Sequence, residues 1–457
     1  MSNKLRLAYF TPLNPQYCGI AEHSEELLPY LAEFADVTIV TETPSPTNQS
    51  LRESFPIIRA QTYLAAPDAF DVSLYQLGNH LRFHGYMVPC LRAAPGVILL
   101  QDYCLNYLVL GLTLGEGELG ALEEALQPTY GARAKSLARR LMLGLIDPTT
   151  LTFAYPFLKG CLGVAVHSDY TLNLVREQAP ETPVRTVTLG IAPLDRSTPV
   201  AELRQRHSYG RDDFIVASVS TRAPKKRIDV MIEAVAEARE RIPNIKLLVV
   251  GGGSPGTSTH RLIQELSLED VVIQTGWVDA DTYADLIRLA DVAVDIREMG
   301  GAETASSVLR VLAAGTPAIV AASGTFLDLP DDCCPKVALG DGQAEALCHL
   351  LEKLHAQPDE LDAMRTAALA FAEERLSPRV EAEEIVNFAQ ELTHKSKVRG
   401  PVDLLQPRAK LSRPIVAALY KLCNTAYLLR SYGISDSFRR LRLKLAGRFA
   451  SDSREVL

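Results

Sequence analysis

The sequence predicts an α/β protein with two parallel sheets, each covered by helices on both faces. Short apolar runs alternate with longer helical patterns in both halves of the chain, which is typical of βαβ units. Two such series, joined near Ile191–Asp195, predict two doubly wound domains that face each other across a cleft. The predicted strands are Leu5–Phe10, Val37–Val40, Val72–Tyr75, Val97–Leu100, Val164–Val166 and Val184–Leu189, then Phe214–Val219, Lys246–Val250, Val271–Thr275, Val292–Asp295 and Ala318–Ala321.

The composition is that of a soluble globular protein with material for more than one core. The 457 residues are 47% hydrophobic and 22% charged, and no apolar run approaches the ~18 residues that a membrane helix needs. The opening Met1–Leu7 leads into a strand and lacks the apolar stretch of a signal peptide. The eight cysteines do not follow the spacing of zinc sites or secreted disulfide frameworks. Together these features predict a cytoplasmic location.

The predicted domain boundaries follow the changes in pattern and composition. Residues 1–192 form an N-terminal Rossmann-like domain with a helical insertion at about 112–159. Residues 193–376 form a second Rossmann-like domain, and a helix at 377–394 is expected to pack back across the interface between the two. A basic helical extension occupies 395–457.

Charge is distributed unevenly along the chain. Residues 395–457 hold 14 Lys+Arg against four Asp+Glu, a net charge of +10, which leaves −18 on the rest. An acidic body argues against general binding of nucleic acid. Within 411–449, the apolar side chains of Phe438–Phe449 share one helical face flanked by cations, which suits an anionic membrane surface. A helical pair that docks on the body or on another subunit is the alternative.

A basic loop follows the first predicted strand of the second half. Four cations lie between Phe214–Val219 and a predicted helix, and they include Arg222 and Lys226. Ligands of open α/β sheets bind at the carboxyl ends of strands, and the start of a helix favours anions. The loop therefore predicts a diphosphate site, with a solvated basic turn as the alternative.

Two glycine-containing loops follow other strands. Gly251–Gly256 fits the G-x-G-x-x-G pattern of dinucleotide sites, but Pro255 interrupts it. Its glycines are better suited to letting the backbone approach a ligand held by the neighbouring strand. The loop Pro12–Ala21 feeds a helix start and is either a plain βα turn or a site of close approach to a phosphate or sugar.

The densest polar motif lies in Asp291–Pro317. A strand ends there, a glycine-rich loop follows, and Glu303 precedes a helix that Thr304, Ser306 or Ser307 is expected to cap. An ordinary capped helix is the plain alternative. The location at a strand's carboxyl end favours a ligand site.

Taken together, these landmarks resemble the family 4, or group 1, glycosyltransferases of the GT-B fold. The resemblance covers roughly Leu5–Leu392. The motifs that carry it are Pro12–Ala21, Tyr75–Asn79 with His84, Val166–Ser168, Leu189–Ile191, Arg222 with Lys226–Asp229, Val250–Gly253, Thr275–Val278 and Leu312–Pro317.

The resemblance implies transfer of a sugar from a nucleoside-diphosphate sugar to a glycan or lipid-linked acceptor, with retention and without a metal. No cofactor other than this donor substrate is expected. The residues expected to hold the donor are Gly19, Ile20, Arg222, Lys226, Gly252, Trp277, Val278, Thr304, Ser306, Ser307 and Arg310. Glu303, Asp102 and His84 are the expected catalytic side chains.

Two departures from the family pattern matter. Many members have a glutamate that grips the ribose where this chain has Arg310, and many have histidine where it has Gln101. Glutamine bonds a sugar hydroxyl but cannot act as an acid or base, so Asp102 or His84 would have to compensate. A catalytically inactive relative that binds sugar nucleotide or glycan is therefore one alternative. A nucleotide-dependent oxidoreductase, resting only on Gly251–Gly256, is another. For the enzyme, peripheral attachment at the inner face of the membrane is expected if the tail binds lipid.

Overall fold

The computed structural model describes residues 4–16, 18–219, 226–251, 257–297, 302–395, 404–405, 414 and 416–425. Two parallel sheets organise them, as the alternating pattern predicts. Every predicted strand is present, and each half adds an edge strand of two residues, too short for any periodicity to indicate.

The first sheet has seven strands in the order β3-β2-β1-β4-β5-β6-β7. Its strands are β1 (Leu5–Phe10), β2 (Ala35–Val40), β3 (Ile57–Ile58), β4 (Val72–Leu77), β5 (Val97–Leu100), β6 (Gly163–Val166) and β7 (Val184–Thr186). Its helices are α1 (Gly19–Phe34), α2 (Gln49–Ser54), α3 (Ala60–Ala65), α4 (Leu81–His84), α5 (Met87–Ala93), α6 (Asn106–Leu112), α7 (Leu119–Tyr130), α8 (Ala134–Met142), α9 (Tyr155–Lys159) and α10 (Asp169–Gln178). The strand order changes direction between β1 and β4, which lie side by side. Ligands of such sheets bind at this point, beyond the carboxyl ends of the strands.

The second sheet has six strands in the order β10-β9-β8-β11-β12-β13. They are β8 (Phe214–Val219), β9 (Ile245–Val250), β10 (Val272–Gly276), β11 (Val292–Asp295), β12 (Ala318–Ala321) and β13 (Lys336–Val337). The helices that follow the first sheet are α11 (Val200–Arg206), α12 (Ile228–Ala238), α13 (Thr257–Glu265), α14 (Ala280–Leu289), α15 (Ser306–Ala313), α16 (Gln343–Ala356), α17 (Pro358–Arg375) and α18 (Pro378–Lys395). β8, β11 and β12 are buried along their whole length, so both faces of the sheet are covered.

α18 follows the last helix of the second half in the sequence, but it packs against α1 of the first half. Its buried face, which includes Ile385, Val386 and Phe388, joins a core cluster with Leu7 and Leu27 from the first half. The chain therefore crosses between the halves twice, once near Ile191 and once before α18.

The described part of the C-terminal extension packs on the body. Backbone carbonyls of Leu404 and Leu405 accept hydrogen bonds from the Arg92 guanidinium. Val416 and Tyr420 pack against the core of the first half, and burial raises the pKa of Tyr420 to about 12. These residues of the extension thus dock on the body, which is the alternative to membrane binding. The predicted apolar face at Phe438–Phe449 lies outside the described residues. No helix among the described residues is both long and apolar enough to cross a bilayer.

Candidate active site

The carboxyl ends of β1, β4 and β5 meet the start of α15 around one cavity of about 500 Å³. Both halves of the chain contribute to its walls. The lining residues are Cys18, Gly19, Ile20, His23, Asn79, His80, Phe83, His84, Gln101, Asp102, Leu189, Thr304 and Ser306. The structure therefore brings together six of the predicted site residues, namely Gly19, Ile20, His84, Asp102, Thr304 and Ser306.

Gly78 allows three of these side chains to converge. A Cβ at Gly78 would stand 2.4 Å from Ile20 Cδ1, 2.9 Å from His84 Nε2 and 3.3 Å from Asp102 Oδ2. No larger residue fits there without displacing them, which explains a glycine directly after β4. Asp102 Oδ2 also accepts the backbone N–H of Asn79 at 2.8 Å, and this bond orients the carboxylate.

His84 is buried and lies in the wall of the cavity as a neutral imidazole. Its Nδ1 lies 3.1 Å from the carbonyl oxygen of Gln76, and because a carbonyl only accepts, Nδ1 carries the proton. Burial, and to a smaller extent His80, lowers the pKa of His84 to about 3. Nε2 is therefore a hydrogen-bond acceptor at neutral pH and a weak base.

Lowering the pH from 7 to 5 is expected to reduce the free energy of unfolding through His84. Its folded pKa of about 3 lies below the ordinary value of 6.5, so between these values the unfolded chain binds a proton that the folded chain does not. The stability that the folded state gains because His84 stays neutral is fully present above pH 6.5. It is lost as the pH falls toward 3. At pH 5 the loss attributable to His84 is about 2 kcal/mol.

Denaturant titrations of the wild type and of His84→Gln at pH 7 and pH 5 would measure this loss. The variant is expected to lose less stability between the two pH values than the wild type. His394→Gln, at an exposed position of α18, is the control and should follow the wild type. Equal losses in all three proteins would contradict the assignment.

On the other side of the cavity, Arg297 organises the turn that precedes α15. This buried guanidinium bonds the Asp295 carboxylate, with Nε 2.6 Å from Oδ1, and donates to Ser307 Oγ at 3.2 Å. Its third nitrogen lies 3.9 Å from Glu303 Oε1. Thr325 Oγ1 donates to the Glu303 carbonyl oxygen at 2.9 Å. Glu303 is thus held beside the cavity and faces a cation, while its neighbour Thr304 lines the wall.

The predicted side-chain cap of α15 is wrong. The helix begins at Ser306, and the N-cap is Ala305, which has no side-chain oxygen to accept an N–H bond. The Ser307 hydroxyl instead accepts from Arg297. The N–H groups of the first turn are therefore without a side-chain cap at a point where Thr304 and Ser306 border the cavity.

Arg310 forms an ion pair between the two halves. Its NH2 lies 2.8 Å from Oε1 of Glu26 on α1, and both side chains are largely buried. The other carboxylate oxygen of Glu26 is shielded from solvent and has no hydrogen-bond partner. The Arg310 guanidinium therefore bonds a carboxylate that the opposite half of the chain supplies.

Of the other predicted donor residues in the second half, Lys226, Trp277 and Val278 are described. Lys226 is buried just before α12. Trp277 follows β10 with 68% of its surface exposed, and Val278 beside it is half-buried. Arg222 and Gly252 lie outside the described residues, so their roles stay predictions.

Glu381 on α18 connects the cavity to both crossings of the chain. Its Oε2 accepts from His23 Nε2 at 2.9 Å and from the Gly190 N–H at 2.7 Å. The amide Nε2 of Gln76 lies 3.1 Å from His23 Nδ1 and completes the orientation of this cavity-lining ring. A Cβ at Gly190 would stand 2.3 Å from Pro378 Cα, so glycine is required where the two crossings touch.

Three residues that organise the site escaped the sequence predictions as site residues, namely Arg297, Glu26 and Glu381. Arg297 carried a signal, since it lies two residues beyond a buried strand end in the polar motif. Glu26 and Glu381 had none, because helical glutamates are usually solvated. Among the described residues, no group of three or more His, Cys, Asp or Glu side chains is arranged to hold a metal ion.

The second half of the chain is similar to a known protein family. Residues 200–370 match the family model of the glycosyl transferases group 1. The match runs from α11 into α17 and includes the whole six-stranded sheet, β8 to β13, where the predicted donor site lies.

Relatives and solved structures extend the likeness. A GDP-mannose-dependent alpha-(1-6)-phosphatidylinositol monomannoside mannosyltransferase of Mycolicibacterium smegmatis is 27% identical over 180 residues, which are 38% of this chain and 47% of the relative. The matched part thus spans about half the length of the curated relatives. HepE of Anabaena, solved with UDP-glucose, aligns with a TM-score of 0.59 at 14% identity, over 84% of this chain and 100% of HepE. A glycosyltransferase of Rickettsia africae aligns with a TM-score of 0.61 at 14% identity, over 86% and 100%. The chain therefore has the predicted GT-B fold.

Proposed function

We propose that this chain is a retaining family 4 glycosyltransferase that moves a sugar from a nucleoside-diphosphate sugar to a glycan or lipid-linked acceptor without a metal. The observation that carries the proposal is the cavity lined from both halves. Carboxylate, imidazole and amide groups of the first half face hydroxyl groups at the start of α15. Such groups suit a sugar, whose hydroxyls both donate and accept hydrogen bonds.

The proposed chemistry follows from the charges that develop during transfer. Breaking the anomeric bond leaves negative charge on the diphosphate and positive charge on the sugar. Arg222, Lys226 and the N-terminus of α15, which has no side-chain cap, would stabilise the leaving phosphate. Glu303 would face the sugar from the same side, and Asp102 with His84 would bond it from the opposite wall. Trp277 and Val278 would flank the base.

A screen of UDP-, GDP- and ADP-sugars for thermal stabilisation tests the proposal, since a ligand that binds only the native state raises its apparent stability. Release of nucleoside diphosphate, with and without candidate acceptors, then measures transfer or hydrolysis. Binding together with release supports a transferase. Absence of both would overturn it.

A catalytically inactive relative is the second candidate, and one observation favours it. Gln101 cannot take up a proton, and the lowered pKa of His84, about 3, makes its imidazole a weak base, so two of the three groups are poorly suited to proton transfer. Donor binding without release of nucleoside diphosphate would identify this case. Hydride transfer to a nicotinamide nucleotide would instead identify an oxidoreductase, the alternative that the Gly251–Gly256 pattern suggests.

The C-terminal extension supports a lipid-linked acceptor in particular. A tail that contacts anionic lipid through 411–449 would bring the cavity near lipid-linked acceptors at the inner face of the membrane. Val416 and Tyr420 pack on the first half, so the proposed lipid contact rests on the sequence of Phe438–Phe449, with its apolar positions and flanking cations.

Replacing Lys226 or Arg222 by alanine is expected to weaken binding of nucleoside diphosphate. Each charge-assisted contact to a phosphate should contribute about 1.5–3 kcal/mol, or roughly 10- to 150-fold in affinity. Calorimetric titration with UDP and with GDP would measure the loss. Arg241→Ala is the control, because this exposed cation lies beyond the other end of α12. Unchanged affinity in both site variants would overturn the assignment.

A further inference from the structure

Gln101 and His167 form a hydrogen-bonded pair beneath the cavity. Gln101 follows β5 and lines the cavity, and His167 follows the neighbouring strand β6. The amide nitrogen Nε2 of Gln101 lies 3.0 Å from Nε2 of His167. One of these two nitrogens must donate and the other accept.

The surroundings of His167 decide which one donates. Its Nδ1 lies 3.2 Å from the carbonyl oxygen of Thr188 and 3.4 Å from that of Val187. Carbonyl oxygens only accept, so Nδ1 carries the proton, and in a neutral ring Nε2 is then the acceptor. Burial, and to a smaller extent His23, lowers the pKa of His167 to about 4 although Glu381 opposes the shift. The ring is therefore neutral at physiological pH.

A neutral His167 with its proton on Nδ1 fixes the amide of Gln101 in one orientation. The NH2 group must point at His167, because a carbonyl oxygen there would face the lone pair of Nε2. The oxygen Oε1 is left on the opposite side of the amide. Among the hydrogen bonds of the described residues Oε1 accepts none, and it is not one of the buried polar atoms without a partner.

We propose that His167 is a positioning residue that aims the carbonyl oxygen of Gln101 at a hydroxyl group of the transferred sugar. The sugar is favoured over the acceptor because the cavity is also lined by Thr304 and Ser306, next to the proposed donor site. The inference rests on the proposed function. It makes Gln101 a specificity residue, since a site built to accept a hydroxyl proton discriminates against sugars that lack this group.

The first test needs no ligand. Long-range proton–nitrogen NMR of histidine-labelled wild-type protein at pH 7.5 distinguishes the two neutral tautomers, and the signal missing from His167→Phe identifies this residue. We expect a neutral ring protonated on Nδ1. A proton on Nε2, or on both nitrogens, would overturn the inference, since either state turns the Gln101 amide around.

The second test is a double-mutant cycle on sugar recognition. The probes are UDP-glucose with UDP and GDP-mannose with GDP, and the measured quantity is the affinity ratio of each sugar nucleotide to its nucleotide. Gln101→Leu is expected to lower the ratio by about tenfold. His167→Phe should lower it less, because a freely rotating amide still presents its oxygen part of the time. Gln127→Leu, exposed on α7, should leave it unchanged.

The decisive comparison is between Gln101→Leu and the double variant. If His167 acts only through Gln101, adding His167→Phe to Gln101→Leu has no further effect on the ratio. An equal His167→Phe effect in both backgrounds means that the ring acts on the sugar or the fold directly, which overturns the inference. If the wild type prefers UDP-glucose to UDP and Gln101→Leu keeps that preference, only this inference fails. If the wild type binds no member of the UDP-, GDP- and ADP-sugar panel and releases no nucleoside diphosphate, the proposed function fails with it.

Discussion

Glu303→Gln is expected to lower turnover by about 10²-fold while nucleoside diphosphate binds nearly as well as before. The change keeps the size of the side chain and removes the negative charge that would stabilise positive charge developing on the sugar, and one preorganised charge or donor is typically worth this much. The free nucleotide carries no such charge, so its affinity should hardly change. Turnover and nucleotide affinity are measured with a donor found in the screen.

Arg297 gives this prediction its structural basis. Its guanidinium lies 3.9 Å from Glu303 Oε1 and is fixed by Asp295, so the carboxylate has a defined place beside the cavity. Glu345→Gln, exposed on α16, is the matched control and should keep full turnover. Full turnover in Glu303→Gln would mean that this residue only forms part of the turn before α15.

The fold was predictable because the strands of parallel sheets are buried on both faces. β8 and β11, for example, are mostly apolar and buried at every position, which is typical of strands in a parallel sheet covered on both faces. β3 and β13 were missed because strands of two residues have no period to detect. Convergence of Ile20, His84 and Asp102 was predictable in part, since each follows a strand at the same edge of one sheet.

Contacts between distant helices were not predictable in this way. Glu26 and Arg310 are 284 positions apart and Glu381 and His23 are 358 apart, so no local spacing links them. The composition of the tail likewise fitted a membrane surface and the protein body equally well. Packing of Tyr420 on the first half depends on the shape of that surface, which hydrophobicity alone does not specify.

Glu381→Ala is expected to lower the free energy of unfolding by about 3 kcal/mol, the largest effect on stability expected from a single glutamate here. Its carboxylate is fully buried and accepts from His23 and Gly190, so removing it leaves two buried donors without partners, each worth about 1–3 kcal/mol. In a protein of 457 residues the midpoint of thermal unfolding should fall by roughly 3 °C. Calorimetry on the full chain measures it.

Two further variants separate the hydrogen bonds from the loss of side-chain volume. Glu381→Gln keeps the volume and one acceptor oxygen, so it should retain part of the lost stability. Glu383→Ala, at an exposed position two residues along the same helix, should change the midpoint by no more than the small effect of a surface substitution. Glu381→Ala should also weaken sugar-nucleotide binding, because His23 loses the partner that orients it in the cavity wall. Stability and binding equal to those of Glu383→Ala would mean that α18 is held by its apolar face alone.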